Sequence, residues 1–325
     1  MKMISRFAGL LCGFLFCSVS LGAWAQAEGY PNRPVKLVVP YPPGGFTDIL
    51  GRLLAERLGS RLGQQVVVEN RGGGGSTIGS AAVAKSPADG YTLMIVAPDL
   101  AINQTLVPKL SYSTDDFTPV TLAAWSPLVV ALHPSLKINS PKEWLERARS
   151  NPKSLRFASG GNGTGSHLAL ELFKSKAGVD IIHVAYRGVG PATTDLLGGQ
   201  VDGMFLQMAV AKRHAMAGKL QVIATPSPQR VPAMSDVPTL SETIVPGFEV
   251  VPWSGVVAPA GTPAPIVNRL HSELQAILSS PDVKNQLAEQ GAEAVAIGPE
   301  PFARFIKSEV IRWGELIRLV GVKID

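Results

Sequence analysis

Two glycine-rich segments carry the residues of this sequence best suited to bind a small charged group. The first, 40–48, reads Pro-Tyr-Pro-Pro-Gly-Gly-Phe-Thr-Asp, and the second, 159–167, reads Ser-Gly-Gly-Asn-Gly-Thr-Gly-Ser-His. Each follows an apolar stretch typical of a strand and precedes a stretch with helical periodicity. Such a unit leaves unpaired backbone N–H groups at the start of the helix, which favours an anion there. The pair therefore predicts a small carboxylate held between two halves of the protein.

The first segment supplies five candidate ligand-binding residues, which are Pro43, Gly44, Gly45, Thr47 and Asp48. Glycine lets the backbone approach a ligand closely, and Thr47 is a predicted N-cap of the following helix. Asp48 suits the first turn of that helix but would repel an anion. We expect its side chain to turn away and brace the loop, or to meet a hydrogen-bond donor of the ligand.

The candidates of the second segment have exposed backbone N–H groups or short polar side chains. They are Gly161, Asn162, Gly163, Thr164, Ser166 and His167. Either segment alone could be an ordinary strand-to-helix turn. Two similar turns in successive α/β halves favour a binding site.

The sequence motifs indicate neither a nucleotide site nor a metal site. The glycines do not follow the G-x-x-x-x-G-K-[ST] or G-x-G-x-x-G spacing, so we expect no nucleotide cofactor. The histidines are dispersed, without a pair four residues apart or a nearby carboxylate cluster, at positions 133, 167, 183, 214 and 271. A metal site normally needs several convergent ligands, so we expect none.

Catalysis also finds no support in the motifs. Ser166 and His167 are neighbours, but consecutive side chains at a helix start point in different directions. No G-x-S-x-G turn accompanies them. We therefore expect no catalytic residue and no enzyme, and an exported α/β hydrolase is the alternative from another functional class.

The first 25 residues predict a secretory signal peptide. A basic start with Lys2 and Arg6 precedes an apolar stretch, and Ala23-Trp24-Ala25 supplies a small-x-small cleavage pattern. We expect cleavage after Ala25, which would also remove Cys12 and Cys17. The mature chain would then carry 28 basic against 25 acidic side chains, scattered without a run. This pattern argues against a nucleic-acid partner.

The elements that must position these loops alternate between short β-branched runs and helical patterns, which predicts an α/β fold. Predicted strands cover 35–39, 66–68, 93–96, 128–132, 156–158, 181–184, 203–206, 222–224 and 253–257. Predicted helices cover about 49–62, 78–84, 166–176, 192–197, 262–277 and 300–320, with further ones beginning at 141 and ending near 217. We expect 226–246 to be a surface connection. The last helix has apolar residues predicted to form one face, namely Phe302, Phe305, Ile306, Ile311, Ile317 and Leu319.

Ten segments, in order along the chain, carry a resemblance to a known family. They are 30–34, 38–48, 68–71, 89–93, 116–120, 161–164 with 166–168, 183–188, 195–202, 236–239, and Trp253 followed by 258–263. In these segments the sequence resembles the Bug family, the substrate-binding proteins of tripartite tricarboxylate transporters. The resemblance implies a two-lobed, type II-like periplasmic-binding-protein fold, each lobe a mixed sheet flanked by helices, with a hinge of crossing strands. Lobe 1 would comprise 26–124 and 253–325, and lobe 2 would comprise 125–252.

The same resemblance implies a periplasmic monomer that closes on a small carboxylate and delivers it to a membrane permease. The ligand could be a di- or tricarboxylate, an aromatic acid or an amino-acid-like compound, and a membrane sensor is the alternative partner. The loops 43–48 and 161–167 would hold carboxyl groups, partly through ordered water. The rest of the cleft would be lined by residues near 97–103, 186–190 and 207, which adds the candidates Asp99, Asn103, Tyr186, Gly190 and Gln207.

Two positions depart from the family pattern. Asp99 stands where a small hydroxyl residue or glycine is common in the family. Gln207 stands where an aspartate often follows the Val-Asp-x-x-Phe segment, which is 201–205 here. A carboxylate at position 99 would disfavour a second ligand carboxylate and favour an amine or hydroxyl donor. Alternatively, Asp99 caps the following helix and never meets the ligand.

Overall fold

The computed structural model describes residues 29–321, so the expected signal peptide lies outside the described residues. Within 29–321, no helix is both long and apolar enough to cross a membrane. The strands of this range are β1 (Val35–Val39), β2 (Val66–Asn70), β3 (Thr92–Val96), β4 (Phe117–Trp125), β5 (Leu128–Leu132), β6 (Arg156–Ser159), β7 (Ile182–Ala185), β8 (Gly203–Gln207), β9 (Gln221–Ala224), β10 (Trp253–Pro259) and β11 (Glu293–Ile297). The helices are α1 (Phe46–Leu62), α2 (Thr77–Ala84), α3 (Asp99–Leu106), α4 (Pro141–Ser150), α5 (Gly165–Ala177), α6 (Val189–Leu197), α7 (Met208–Met216), α8 (Leu240–Thr243), α9 (Ala264–Ser279), α10 (Pro281–Glu289) and α11 (Pro299–Val320).

The first sheet has the strand order β11-β4-β10-β3-β1-β2. β1 pairs in parallel with β2 and β3, whereas β10 runs antiparallel to β3 and β4. Because Val39 pairs with Asn70, the end of β2 lies beside the point where the first glycine-rich loop leaves β1.

The second sheet has the order β7-β6-β8-β5-β9, with β6 parallel to its neighbours and β5 antiparallel to β8 and β9. Its core includes stacked aromatic side chains, with ring centroids of Trp144 and Phe173 4.1 Å apart. The structure therefore confirms an α/β fold with two mixed sheets flanked by helices.

The chain crosses between the two sheets on adjacent paths. One crossing links β4 to β5, and the other leads into β10. The Ser126 N–H donates to the Pro252 carbonyl at 2.9 Å, so the two crossing segments are hydrogen-bonded to each other. The exact lobe boundaries given above stay a prediction.

Helix α11 packs against both halves. Phe302 and Ile306 are buried in a cluster with first-sheet residues, whereas Trp313 and Ile317 join the aromatic core of the second sheet. The prediction of one apolar face is wrong for Ile311 and Leu319, which are 62% and 75% exposed. Successive residues of a helix are rotated by about 100° around its axis. Ile311, five residues after Ile306, and Leu319, two residues after Ile317, therefore lie on the opposite side of the helix.

The predicted strands and helices are confirmed to within a few residues, but β4, β11 and α10 were not predicted, and α3 was expected only as the helix that Asp99 might cap. The segment 226–246 is also more than a surface connection, because it contains α8, whose Leu240 is fully buried.

Candidate functional site

An enclosed cavity of about 70 Å³ lies where the loops of the two sheets meet. Both halves and both crossing segments line it. Its polar and backbone lining includes Tyr41, Gly45, Thr47, Asp99, Ser126, Gly160, Thr164, Gly165, Ser166, Gly188, Gln207 and Ser254.

Five helices begin at this cavity. The N-cap residues of these helices all line the cavity. They are Gly45 of α1, Pro98 of α3, Thr164 of α5, Gly188 of α6 and Gln207 of α7, and none of the five helices has a side-chain cap. First-turn N–H groups have no partner one turn earlier in their own helix, and the positive ends of the helix dipoles face the same space. Some of these N–H groups are bonded nearby, since Met208 of α7 donates to the Pro127 carbonyl at 2.8 Å and Leu100 of α3 to the Ala97 carbonyl at 3.0 Å. The described lining holds no lysine, arginine or histidine. Backbone dipoles are therefore the source of positive potential at this site.

The first loop is braced by Asp48. Its carboxylate accepts hydrogen bonds from the Gly44 N–H at 3.1 Å, the Asn70 amide at 2.8 Å and the Arg52 guanidinium at 3.2 Å. Burial opposes ionisation, but these bonds outweigh it and lower the pKa of Asp48. The side chain thus turns away from the cavity, the first of the two arrangements expected for it.

The prediction that Thr47 caps α1 is wrong. The helix begins at Phe46, and Gly45 occupies the N-cap position in an extended conformation. Because Thr47 is already inside the first turn, it cannot act as the cap. It lines the cavity instead.

The second loop is braced by neutral acceptors. Ser166 Oγ accepts from the Gly160 N–H at 3.2 Å, and His167 Nδ1 accepts from the Gly163 N–H at 3.1 Å. The His167 ring stacks on His183 with centroids 4.1 Å apart, and burial lowers the pKa of each to about 4. The neutral form of His167 is the one that can accept through Nδ1.

Asp99 is 2% exposed and is the first residue of α3. The helix-capping alternative is wrong, because Pro98 is the N-cap and no side chain caps the helix. The Tyr41 hydroxyl donates to Asp99 Oδ1, whereas Oδ2 is buried and accepts no hydrogen bond of normal geometry from residues 29–321. Burial raises the pKa of Asp99 to about 6, although hydrogen bonding at Ser76 and Tyr41 opposes the change.

Two more polar atoms beside this cavity are buried without a hydrogen-bond partner in the described part of the chain. They are Ser126 Oγ and Gln207 Oε1. Buried polar atoms without partners are rare in folded proteins.

The structure brings some of the candidate residues together and separates others. Lining the inner cavity are Gly45, Thr47, Asp99, Thr164, Ser166 and Gln207. Lining an adjoining, more open cavity of about 940 Å³ are Pro43, Gly161, Asn162, Thr164 and Tyr186. The lining of neither cavity includes Gly44, Asp48, Asn103, Gly163, His167 or Gly190.

The candidates outside both cavities have supporting contacts. Asn103 is buried, and its amide donates to the Gly75 carbonyl at 2.8 Å. Gly163 is tied to His167, as described above. Ligand contact by these residues stays a prediction.

Sequence reasoning missed Tyr41, Ser126 and Ser254 as lining residues and Asn70 as a brace. Ser126 is a polar residue at the junction of two apolar strands, which is a usable signal. Asn70 ends a strand beside the loop, but the contact with Asp48 arises only when β1 and β2 pair.

The described residues do not form a metal site or a serine–base pair at this cavity. Among residues 29–321, no cluster of three His, Cys, Asp or Glu side chains could hold a metal ion. Ser166 Oγ contacts the Thr164 hydroxyl at 3.1 Å and the Gly160 N–H. Its described hydrogen bonds therefore include no imidazole that could act as a base.

Known proteins resemble the chain over most of its length. The model of the tripartite tricarboxylate transporter family receptor matches residues 50–322. BugT of Bordetella pertussis is 37% identical over 96% of this chain and 97% of its own. The solved structure of R. palustris Rpa4515 with adipate has a TM-score of 0.88 and 36% identity, over 90% of this chain and 99% of its own. MatC from Rhodopseudomonas palustris with bound malate gives a TM-score of 0.84 and 33% identity, over 89% and 99%. On this family match and these identities, the chain belongs to the tripartite tricarboxylate transporter receptors of the Bug type.

Proposed function

We propose that this chain is a periplasmic solute-binding protein that captures a small carboxylate in the cavity between its lobes and delivers it to a membrane permease. The observation that carries the proposal is the convergence of five helix N-termini without side-chain caps on one cavity. With no cationic side chain in the described lining, the backbone at these helix starts and the helix dipoles suit a carboxylate.

Close approach of the two halves supports capture by closure. A Cβ atom on Gly188 would lie 2.7 Å from Pro42 Cγ, so the loops meet with room for glycine alone. Gly188 also has a φ of +128°, which disfavours any other residue. In this proposal 26–124 with 253–325 and 125–252 move as two lobes about the crossing segments, and ligand shifts the population toward the closed form.

The comparisons support the ligand class and the compartment. Rpa4515 and MatC were solved with adipate and malate, both carboxylates, and BugD is a periplasmic binding protein. We place this chain in the periplasm after cleavage behind Ala25, as a monomer that meets membrane permease subunits. The proposal includes no enzymatic step.

Thermal unfolding of the mature protein with a panel of carboxylates tests the proposal. A true ligand at a hundredfold its Kd stabilises the folded state by about 2.7 kcal/mol, which is a shift of several degrees in Tm. The amides of the same acids are the matched controls and should give no shift. If no carboxylate raised Tm, or if the amides did so equally, the proposal would fail. Co-purification with the permease encoded by the same bacterium tests the delivery step.

A further inference from the structure

A second cavity, an open groove of about 730 Å³, also lies between the two halves of the protein. One of its walls is formed by 227–233, which packs on the second sheet through Val231. The opposite wall is formed by residues of 284–294, from α10 and β11 of the first half. We call this cavity the hinge groove, and the proposed function assigns it no role.

The two crossing segments separate the hinge groove from the ligand cavity. Trp125 and Pro127 line the groove, whereas Ser126 between them lines the ligand cavity. The second segment repeats this alternation, with Val251 in the groove and Pro252 in the ligand cavity. Successive side chains of an extended backbone point to opposite sides. The two cavities therefore lie on opposite sides of one partition.

A joint made of buried side chains lies next to this partition. Glu309 of α11 is 3% exposed, and its Oε2 accepts hydrogen bonds from Trp253 Nε1 and Trp313 Nε1, both at 2.8 Å. Trp253 belongs to a cluster of the first sheet and directly follows the second crossing segment, whereas Trp313 belongs to the core of the second sheet. The halves are thus joined at one place through both backbone and side chains. Relative motion about such a joint is a rotation.

A rotation about the partition changes the spaces on its two sides in opposite directions. In this structure the ligand cavity is enclosed, at about 70 Å³, while the hinge groove is open, at about 730 Å³. When the loops around the ligand cavity move apart, the two walls of the groove must approach each other.

We propose that the hinge groove controls ligand affinity from outside the ligand cavity, because it is wide in the closed form of the protein and narrow in the open form. The inference rests on the proposed function, since it requires closure on a ligand, but it concerns residues that line only the groove. The apparent affinity of a ligand is proportional to the fraction of empty protein in the binding-competent form. A side chain that fills the groove keeps its walls apart, raises that fraction and so tightens binding.

Two tryptophan substitutions, one on each wall, fill the groove. Ala288 is exposed on α10, and Ala233 is half-buried on the opposite wall. The lining of the ligand cavity contains neither residue. The matched control is Ala217→Trp, at an exposed residue after α7 that lines neither cavity.

Distances between pairs of spin labels, measured by pulsed electron resonance on the ligand-free mature protein, test the inference. Both cysteines of the sequence precede the expected cleavage site, so introduced cysteines carry the only labels. The pair Lys85→Cys and Thr194→Cys reports on the side of the ligand cavity, and the pair Ser235→Cys and Asn285→Cys reports on the side of the groove. All four residues are exposed or lie at a helix surface, and none of them lines either cavity.

We expect Ala288→Trp and Ala233→Trp to shorten the first distance and lengthen the second, raising the ratio of closed to open protein by about threefold or more. Ala217→Trp should leave both distances as in the wild type. Calorimetric titration with succinate, citrate and L-glutamate then measures affinity. For each of these that binds, the dissociation constant should fall by the factor by which the closed fraction rises.

The possible failures are distinguishable. If both tryptophan variants leave the distances unchanged, or if the two distances change in the same direction, the inference is overturned and carboxylate capture stands. A rise in the closed fraction without tighter binding also overturns it. If no carboxylate of the wider panel binds the wild type, the proposed function itself fails, and the two distances still decide whether groove and cavity move reciprocally. Should one tryptophan variant not fold, the variant on the opposite wall gives the same readout.

Discussion

The two glycine-rich loops present helix N-termini to the same cavity, but they are held in place differently. In the first loop a charged side chain, Asp48, accepts from Gly44, Asn70 and Arg52. In the second, neutral oxygen and nitrogen atoms of Ser166 and His167 accept from the backbone. The same backbone arrangement is thus stabilised with a charge on one side and without one on the other.

This difference bears on where an anion binds best. The Asp48 carboxylate lies at the positive end of α1 and offsets part of its potential, whereas the first turn of α5 contains no acidic residue. The second loop therefore offers an anion the less compensated helix end. The difference also predicts unequal responses to mutation and pH, because hydrogen bonds to charged groups are stronger than those to neutral groups.

The largest expected effect is that of Asp48→Ala. The change leaves the Gly44 N–H and the Asn70 amide without their acceptor at two part-buried hydrogen bonds. We expect the free energy of unfolding to fall by about 3 kcal/mol, with at least a tenfold loss of ligand affinity. Urea unfolding and calorimetry measure both. Asp180→Ala, at a half-exposed carboxylate, should cost little, and an equal cost for the two variants would refute the role given to Asp48.

A smaller effect is expected of His167→Ala in the neutral brace. The variant removes the acceptor for the Gly163 N–H and the stack on His183, which should cost about 2 kcal/mol of unfolding free energy. His167→Asn is the matched variant, because its side-chain oxygen can take the place of Nδ1, and it should recover part of the loss. A loss larger than that of Asp48→Ala would reverse the ranking of the two braces.

Most elements around these loops could be predicted from the sequence because their patterns are local. Hydrophobic periodicity and glycine position identified β1, α1, β6 and α5. Strand β4 was missed because Pro119 and small residues lower its strand propensity, and because it is stabilised by pairing with distant β10 and β11.

The site could be predicted where it depends on backbone at helix starts, and not where it depends on distant contacts. The glycine pattern marks Gly45 and Thr164 as cavity residues without any tertiary information. The contact between Tyr41 and Asp99 joins residues 58 positions apart, and its burial raises the Asp99 pKa only in the folded chain. Local patterns carry no information on such pairs.

Lowering the pH should change the stability contributed by the His167 brace of the second loop. The pKa of His167 is about 4 in the folded protein, against 6.5 as its ordinary value. Between these pH values the folded protein binds fewer protons at this site than the unfolded chain, so the site loses stability as pH falls. Asp99, with its raised pKa, acts in the opposite direction over nearly the same range.

We expect His167→Asn to remove on the order of 1 kcal/mol of the stability change between pH 7 and 5. Urea unfolding at the two pH values measures the difference. An unchanged pH slope in His167→Asn would mean that this imidazole does not control the acid response of the second loop.

The smallest effect is expected of Arg52→Gln, which tests how much of the first brace is an ion pair. The Arg52 side chain is 55% exposed, although it reaches Asp48 at 3.0 Å and the Asn70 side-chain oxygen at 2.9 Å. Exposed ion pairs contribute about 0.5 kcal/mol, so the variant should retain nearly all the stability and ligand affinity. Asp48 would still accept from Gly44 and Asn70, which are the contacts that fix the loop. A loss near that of Asp48→Ala would instead assign the brace to the salt bridge, and the first loop would then become sensitive to ionic strength. Unfolding at low and high salt, in the wild type and Arg52→Gln, separates these two sources of stability.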